Sequence, residues 1–172
     1  VDGLPPSLLS LAAQTARAAG EENATPENGP WRITLDYPSY VPFLQHSTRR
    51  ALREKVYKAS ISRASTGELD NTPLIDRILE LRKEEALLLG FNSYAELSLA
   101  SKMAPKVEAV EQLLEELRQA SYDAARKDLE ELKAFAASKG AQEASDLKHW
   151  DISFWSERLR EEKFAFSAEE LR

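Results

Sequence analysis

The sequence predicts an all-α fold, a helical bundle or array of six or seven helices with one very long helix and one short β-strand. Three observations carry that expectation. Apolar residues recur at three- and four-residue spacing through most of the chain. Single glycines and prolines stand where those runs stop and start. Only the stretch Trp31–Asp36 alternates apolar and polar residues with β-branched members, which is the pattern of a strand. At 172 residues, 42% hydrophobic and 30% charged, the profile is that of one helical domain over residues 1–172.

Pro5 and Pro6 suit a first helical turn, and Ser7 to Ala19 reads as a helix stopped by Gly20. Residues 21–30, rich in Asn, Pro and Gly, read as a loop before the expected strand. Pro38 and Pro42 then favour a turn with a short helix. From Thr48, the residues Ala51, Leu52, Val56, Ala59 and Ile61 mark the next helix, broken at Ser65–Glu68. Asn71, followed by Thr72 and Pro73, opens a leucine-rich helix as its capping residue, and Gly90 closes it. Ser93-Tyr-Ala-Glu96 has the spacing of a capping box and starts another helix to about Ser101.

The longest helix is expected from about Lys106 to Ser138, with Gly140 as its stop. Its stripe includes Val107, Val110, Leu113, Leu114, Leu117, Ala120, Leu129, Leu132 and Phe135, and the alanines suit close helix packing. After a polar connection at 141–148, Trp150 begins a helix that is aromatic on one side. Ser167-Ala-Glu-Glu170 is a second capping box, so a further helix is expected at Ala168. A helix capped and ended after one turn is unfavourable, and the first residue is Val1, so the chain is expected to be cut from a longer one.

The chemistry inventory is short. With no cysteine there is no disulfide, thiol nucleophile or Cys-containing metal site. The two histidines, His46 and His149, are far apart and in no H-E-x-x-H pair, so each reads as a surface or capping residue. Neither has a Glu three residues before it, which argues against a four-helix carboxylate metal protein; Asp146-x-x-His149 comes nearest, in a loop. No glycine-rich phosphate cradle or serine elbow occurs. A net charge of -6 disfavours nucleic acid, and no apolar run approaches the ~20 residues of a membrane span. Catalytic, cofactor-binding and metal-ligating residues are therefore all expected to be none. On composition alone, a non-catalytic helical interaction or scaffold module is the alternative reading.

A series of motifs in fixed order carries a resemblance. They are Gly3-Leu-Pro5, Ile33-Thr-Leu-Asp36-Tyr-Pro38-Ser-Tyr40-Val-Pro42, Arg50-Ala-Leu-Arg53-Glu-Lys-Val-Tyr57 and Ser62-Arg63-Ala-Ser65. Asp70-Asn71-Thr72, Leu88-Leu89-Gly90-Phe91 with Tyr94-Ala95, and Trp150-Asp151 with Ser156-Glu157 follow. Over nearly its whole length the chain resembles the oligopeptidase A and thimet oligopeptidase family of zinc metallopeptidases, closest to the plant and organellar branch.

The resemblance implies the helical region N-terminal to the catalytic core, walling a channel that admits short unstructured peptides. The family's H-E-x-x-H helix has no counterpart here, so zinc is expected in the full-length parent and not on this chain, which should be inactive alone. Phe154-Trp155 stands where many relatives carry a Tyr pair, so no substrate hydroxyl contact is assigned there. A cytoplasmic location, or an organelle matrix or stroma after removal of a transit peptide, is implied. The implied partners are short peptides and the missing catalytic domain. A bare patch around Trp150, Phe154, Trp155, Leu159, Phe164 and Phe166 is expected to drive self-association or leave the end mobile, the alternative being that these aromatics fold back on the long helix and finish a self-contained bundle.

Overall fold

A computed structural model describes residues 2–164. Seven α-helices form among them: α1 (Pro6–Ala18), α2 (Tyr37–His46), α3 (Arg50–Ile61), α4 (Thr72–Leu88), α5 (Tyr94–Leu99), α6 (Val107–Ser138) and α7 (His149–Phe164). Short 3-10 turns stand at Gly67–Leu69 and Ala144–Asp146. The all-α class is as expected, and α6 is the longest element at 32 residues. The chain divides into two compact units, Val1–Ser62 with Leu129–Arg172, and Arg63–Asp128.

In the first unit, α2 packs on α1, α3 and α7, and α3 packs on α7. Leu4, Leu8 and Phe43 form one buried cluster with Leu9, Ile33 and Val56 against it. Gly3 lets the chain pass this closely: at φ +83°, a Cβ there would sit 2.5 Å from the His46 carbonyl oxygen.

The expected strand at Trp31–Asp36 does not form. Its alternation has a different cause. Trp31 packs on Ala13, Ala16 and Ala24, and Ile33 packs on the Leu4–Leu8–Phe43 cluster. The backbone finds partners outside any sheet: Arg32 N–H donates to the Ala12 carbonyl and Thr34 N–H to the Ser39 hydroxyl. A period of two therefore marks a segment laid over helices, and no second strand exists among the described residues to pair with it.

The C-terminal aromatics correct another expectation. Phe154 and Trp155 are 9% and 8% exposed and form a core with Leu132 and Ala136 of α6 and with Ala144. Their rings meet edge to face at 5.2 Å, and Phe135 approaches Trp155 at 6.2 Å. Trp150 and Leu159 are half-buried, Phe164 is exposed, and Phe166 and the Ser167–Glu170 box lie outside the described residues.

The second unit is built from α4, α5 and the first part of α6. Thr72 N–H is capped by the Asp70 carboxylate at 2.9 Å, and Asn71, the expected cap, makes no side-chain capping bond. The Ser93 box forms: Ser93 Oγ accepts from Glu96 N–H, and the Glu96 carboxylate accepts from Asn92 N–H. Helices α1, α4 and α6 close identically before Gly20, Gly90 and Gly140. In each, the residue after glycine donates five residues back, to the carbonyls of Ala16, Ala86 and Ala136. Ala86 is the one fully buried residue of this unit among those described.

Candidate functional site

The most deeply buried polar assembly joins α3 to the start of α7 in the first unit. Arg50 and Arg53 stand three residues apart, which places both guanidinium groups on one face of α3. Asp151 is the third residue of α7 and its carboxylate accepts from Lys148 N–H at 3.0 Å, closing the helix's first turn. Arg50 forks onto that carboxylate, with Nη2 at 2.7 Å and Nε at 3.0 Å. Arg53 donates from each guanidinium nitrogen: Nη2 to Asp151, Nη1 to the Ser47 carbonyl and Nε to the Trp150 carbonyl. Its guanidinium also lies 4.1 Å from the Phe154 ring centroid.

Burial on its own would push the Asp151 carboxyl up. The hydrogen bonds from Arg50, Lys148 and Arg53 outweigh it and hold the group below its ordinary 3.8. Burial likewise lowers Arg53 against the pull of Asp151, yet a guanidinium keeps its proton. The assembly positions α7 against α3 through charge-assisted hydrogen bonds.

Beside it runs a row of rings. Tyr57 stacks on His149 at 5.8 Å, with the planes 11° apart, and meets Trp150 at 5.9 Å. Arg50 and Lys58 cover the Trp150 ring at 5.7 and 5.4 Å.

His46, at the end of α2, has a different neighbourhood. Glu157 and Glu161, one turn apart on α7, bring carboxylate oxygens to it, and the three possible ligand atoms lie within 4.8 Å of one another. One imidazole and two carboxylates is a donor set that zinc or manganese accepts. The carboxylates are already engaged, however. Arg160 donates to both Glu157 oxygens, and Arg158 lies 3.8 Å from Glu161. The Arg160 hydrogen bond holds Glu157 below its ordinary 4.5 against the pull of burial, aided by the charges of Arg160, His46 and Arg158. Each carboxylate of the cluster therefore faces a guanidinium. Reading His46 as a surface or capping residue missed this meeting; the i, i+4 pair Glu157 and Glu161 was its only sequence signal.

A groove of about 520 Å³ lies alongside, lined by Phe135, Phe154, Trp155, Lys139, Arg158 and Glu161. Its charges pair internally, Lys139 with Glu162 and Arg158 with Glu161.

The two stretches that meet at Asp151, Arg50-Ala-Leu-Arg53 and Trp150-Asp151, both lie within a match over residues 43–172 to the profile described as Peptidase family M3. The chain belongs to peptidase family M3. Over all 172 of its residues, this M3 chain is 60% identical to organellar oligopeptidase A, chloroplastic/mitochondrial, of Arabidopsis thaliana, and it covers 22% of that protein. It is 59% identical to a probable cytosolic oligopeptidase A of the same plant, covering 24% of it. Against oligopeptidase A of Haemophilus influenzae, identity is 39% with 99% of the M3 chain and 24% of the relative aligned. The chain thus spans about a quarter of the length of these relatives. Oligopeptidases of this kind are named from an organelle and from the cytosol, and no described helix is long and apolar enough to cross a membrane.

Proposed function

We propose that the chain is a helical channel-wall portion of a zinc metallo-oligopeptidase that hydrolyses short, unstructured peptides. The supporting observation is the 60% identity to an oligopeptidase A along every residue of a chain that has two histidines and no H-E-x-x-H pair. In such an enzyme the zinc would activate the attacking water. The donors that hold it lie in the parts of the relatives that this chain does not span.

The chain's own contribution is stiffness. Arg50, Arg53 and Asp151 tie α3 to α7 by direct hydrogen bonds, and the Phe154–Trp155 core fixes α7 on the end of α6. The parent works in the cytosol or an organelle, as its relatives' names state of those proteins.

The test is direct. The purified 172-residue chain should hydrolyse no peptide and carry no stoichiometric zinc by metal analysis. One tightly held zinc per chain, lost in a His46→Ala variant, or peptide cleavage that persists through rigorous purification would overturn this reading.

A further inference from the structure

Asparagine followed by glycine occurs once in the chain, at Asn28-Gly29; the other asparagines precede Ala24, Thr72 and Ser93. Such a pair is chemically labile. The Gly29 backbone nitrogen attacks the Asn28 side-chain carbonyl carbon and closes a cyclic imide. The side-chain nitrogen leaves as ammonia, taking the proton of the Gly29 amide. Water then opens the imide at either of its carbonyls, giving aspartate or isoaspartate, in which the main chain runs through the former side chain. Glycine favours ring closure because no Cβ crowds the attacking nitrogen. In this chain Asn28 is exposed and Gly29 is buried.

The fold holds the attacking nitrogen back. Gly29 N–H donates to the Thr25 carbonyl at 2.9 Å, and Thr25 N–H donates to the Gly29 carbonyl at 3.1 Å. Trp31 covers Gly29 so closely that a Cβ there, at φ +69°, would stand 2.7 Å from the indole ring. The Trp31 indole N–H donates to the Pro26 carbonyl at 3.0 Å, and the ring packs on Ala13, Ala16 and Ala24. Arg17 of α1 closes the other end of the loop, donating to the Ala24 carbonyl at 2.6 Å. We propose that Asn28-Gly29 is a deamidation site gated by this turn, held unreactive while Gly29 is paired to Thr25 and reactive once the pairing opens. The isoaspartyl product cannot rebuild the turn. It adds a methylene to the main chain between Thr25 and Gly29, which takes their hydrogen-bonding groups out of alignment. The new carboxylate also moves the net charge of the chain from -6 to -7. The segment that lays Trp31 over α1 thereby loses its anchor.

The test is incubation of the 172-residue chain in mildly alkaline buffer, folded and in guanidinium chloride, with peptide mass mapping of every asparagine. In denaturant Asn28 should deamidate at least about tenfold faster than in the folded chain, since the folded reaction waits on local opening. It should also outpace Asn23, Asn71 and Asn92 in the same denatured sample. Trp31→Phe, which removes the bond to the Pro26 carbonyl, should raise the Asn28 rate of the folded chain several-fold. In the isolated isoaspartyl product the Arg32 amide, which donates to the Ala12 carbonyl, should exchange with solvent at least about tenfold faster by NMR. An Asn28 that reacts as fast folded as denatured would overturn the gate, and that comparison decides it even if Trp31→Phe does not fold. An Asn28 no faster than Asn23 in denaturant would overturn the site itself. A folded Trp31→Phe chain with an unchanged rate would remove Trp31 from the clamp, and an unchanged Arg32 amide would overturn the loss of the anchor.

Discussion

Arg53 and Asp151, 98 residues apart in sequence, form a 3.0 Å ion pair with both side chains withdrawn from solvent. Arg50 shares the same carboxylate but keeps 39% of its side chain exposed. Removing the carboxylate strands a buried guanidinium, whereas removing Arg50 leaves Asp151 its bonds to Arg53 and Lys148. Asp151→Ala should therefore destabilise the first unit by about 3–5 kcal/mol, the range for breaking a buried pair. Arg50→Ala should cost clearly less. Urea unfolding of both variants checks the order, and equal losses would show that Arg53 is not the principal partner.

Acid should loosen the same joint. Asp151 lies below its ordinary 3.8 and Glu157 below 4.5 in the folded chain. A depressed carboxyl pKa contributes stability that is complete above the unfolded value and is lost as pH falls through the folded one. Stability should be flat above about pH 5 and decline below about 4.5, first through Glu157 and then through Asp151. Asp151→Asn should lie lower at neutral pH and fall less steeply below 3.8. Parallel curves for the two proteins would show that Asp151 is not the titrating group.

Local rules made the helices legible in the sequence, and long-range pairing hid the joint. Glycine stops, the Ser93 box and the leucine periodicities act within one or two turns, so Gly20, Gly90 and Gly140 could be placed from neighbours alone. Arg53 and Asp151 read as ordinary helix-surface charges, because nothing local says that α3 will be laid against α7. The motif resemblance did single out Arg50–Tyr57 and Trp150-Asp151, without showing that they touch. Trp31 and Ile33 misled for a related reason. Alternation reports a segment with one covered face, and what covers it was α1 and α2 instead of a neighbouring strand.

Phe154 tests whether the end of α7 is part of a real core. Its ring touches Trp155 at 5.2 Å and receives Arg53 and Arg158 over its faces at 4.1 and 4.8 Å. Truncation would open a cavity beside the Arg53–Asp151 pair. Phe154→Ala should cost about 3–5 kcal/mol, while Phe164→Ala, at an exposed position, should cost little. Thermal unfolding followed by tryptophan emission compares them. A tolerant Phe154 would mean that this aromatic group packs loosely.

The last prediction concerns how unevenly the two units open. Amide exchange is slow where opening must break a core and fast where helices meet water on most sides. In α7, residues Asp151, Phe154, Trp155 and Glu157 are buried, and they alternate with partly buried Ile152 and Leu159 packed on the same cluster. In α4 only Ala86 is buried, and its apolar side chains at 74, 75, 78 and 79 are exposed. Exchange from the isolated chain should therefore be slowest across Ile152–Leu159 and around Phe43 and Leu44. It should be orders of magnitude faster across α4 and the first turns of α6, despite their length, because helices that bury so little are held mainly by their own hydrogen bonds. Mass spectrometry of peptides from a quenched exchange series resolves the elements. Equal protection of α4 and α7 would mean that the leucines of α4 are covered in solution, by another copy if the protection rises with protein concentration.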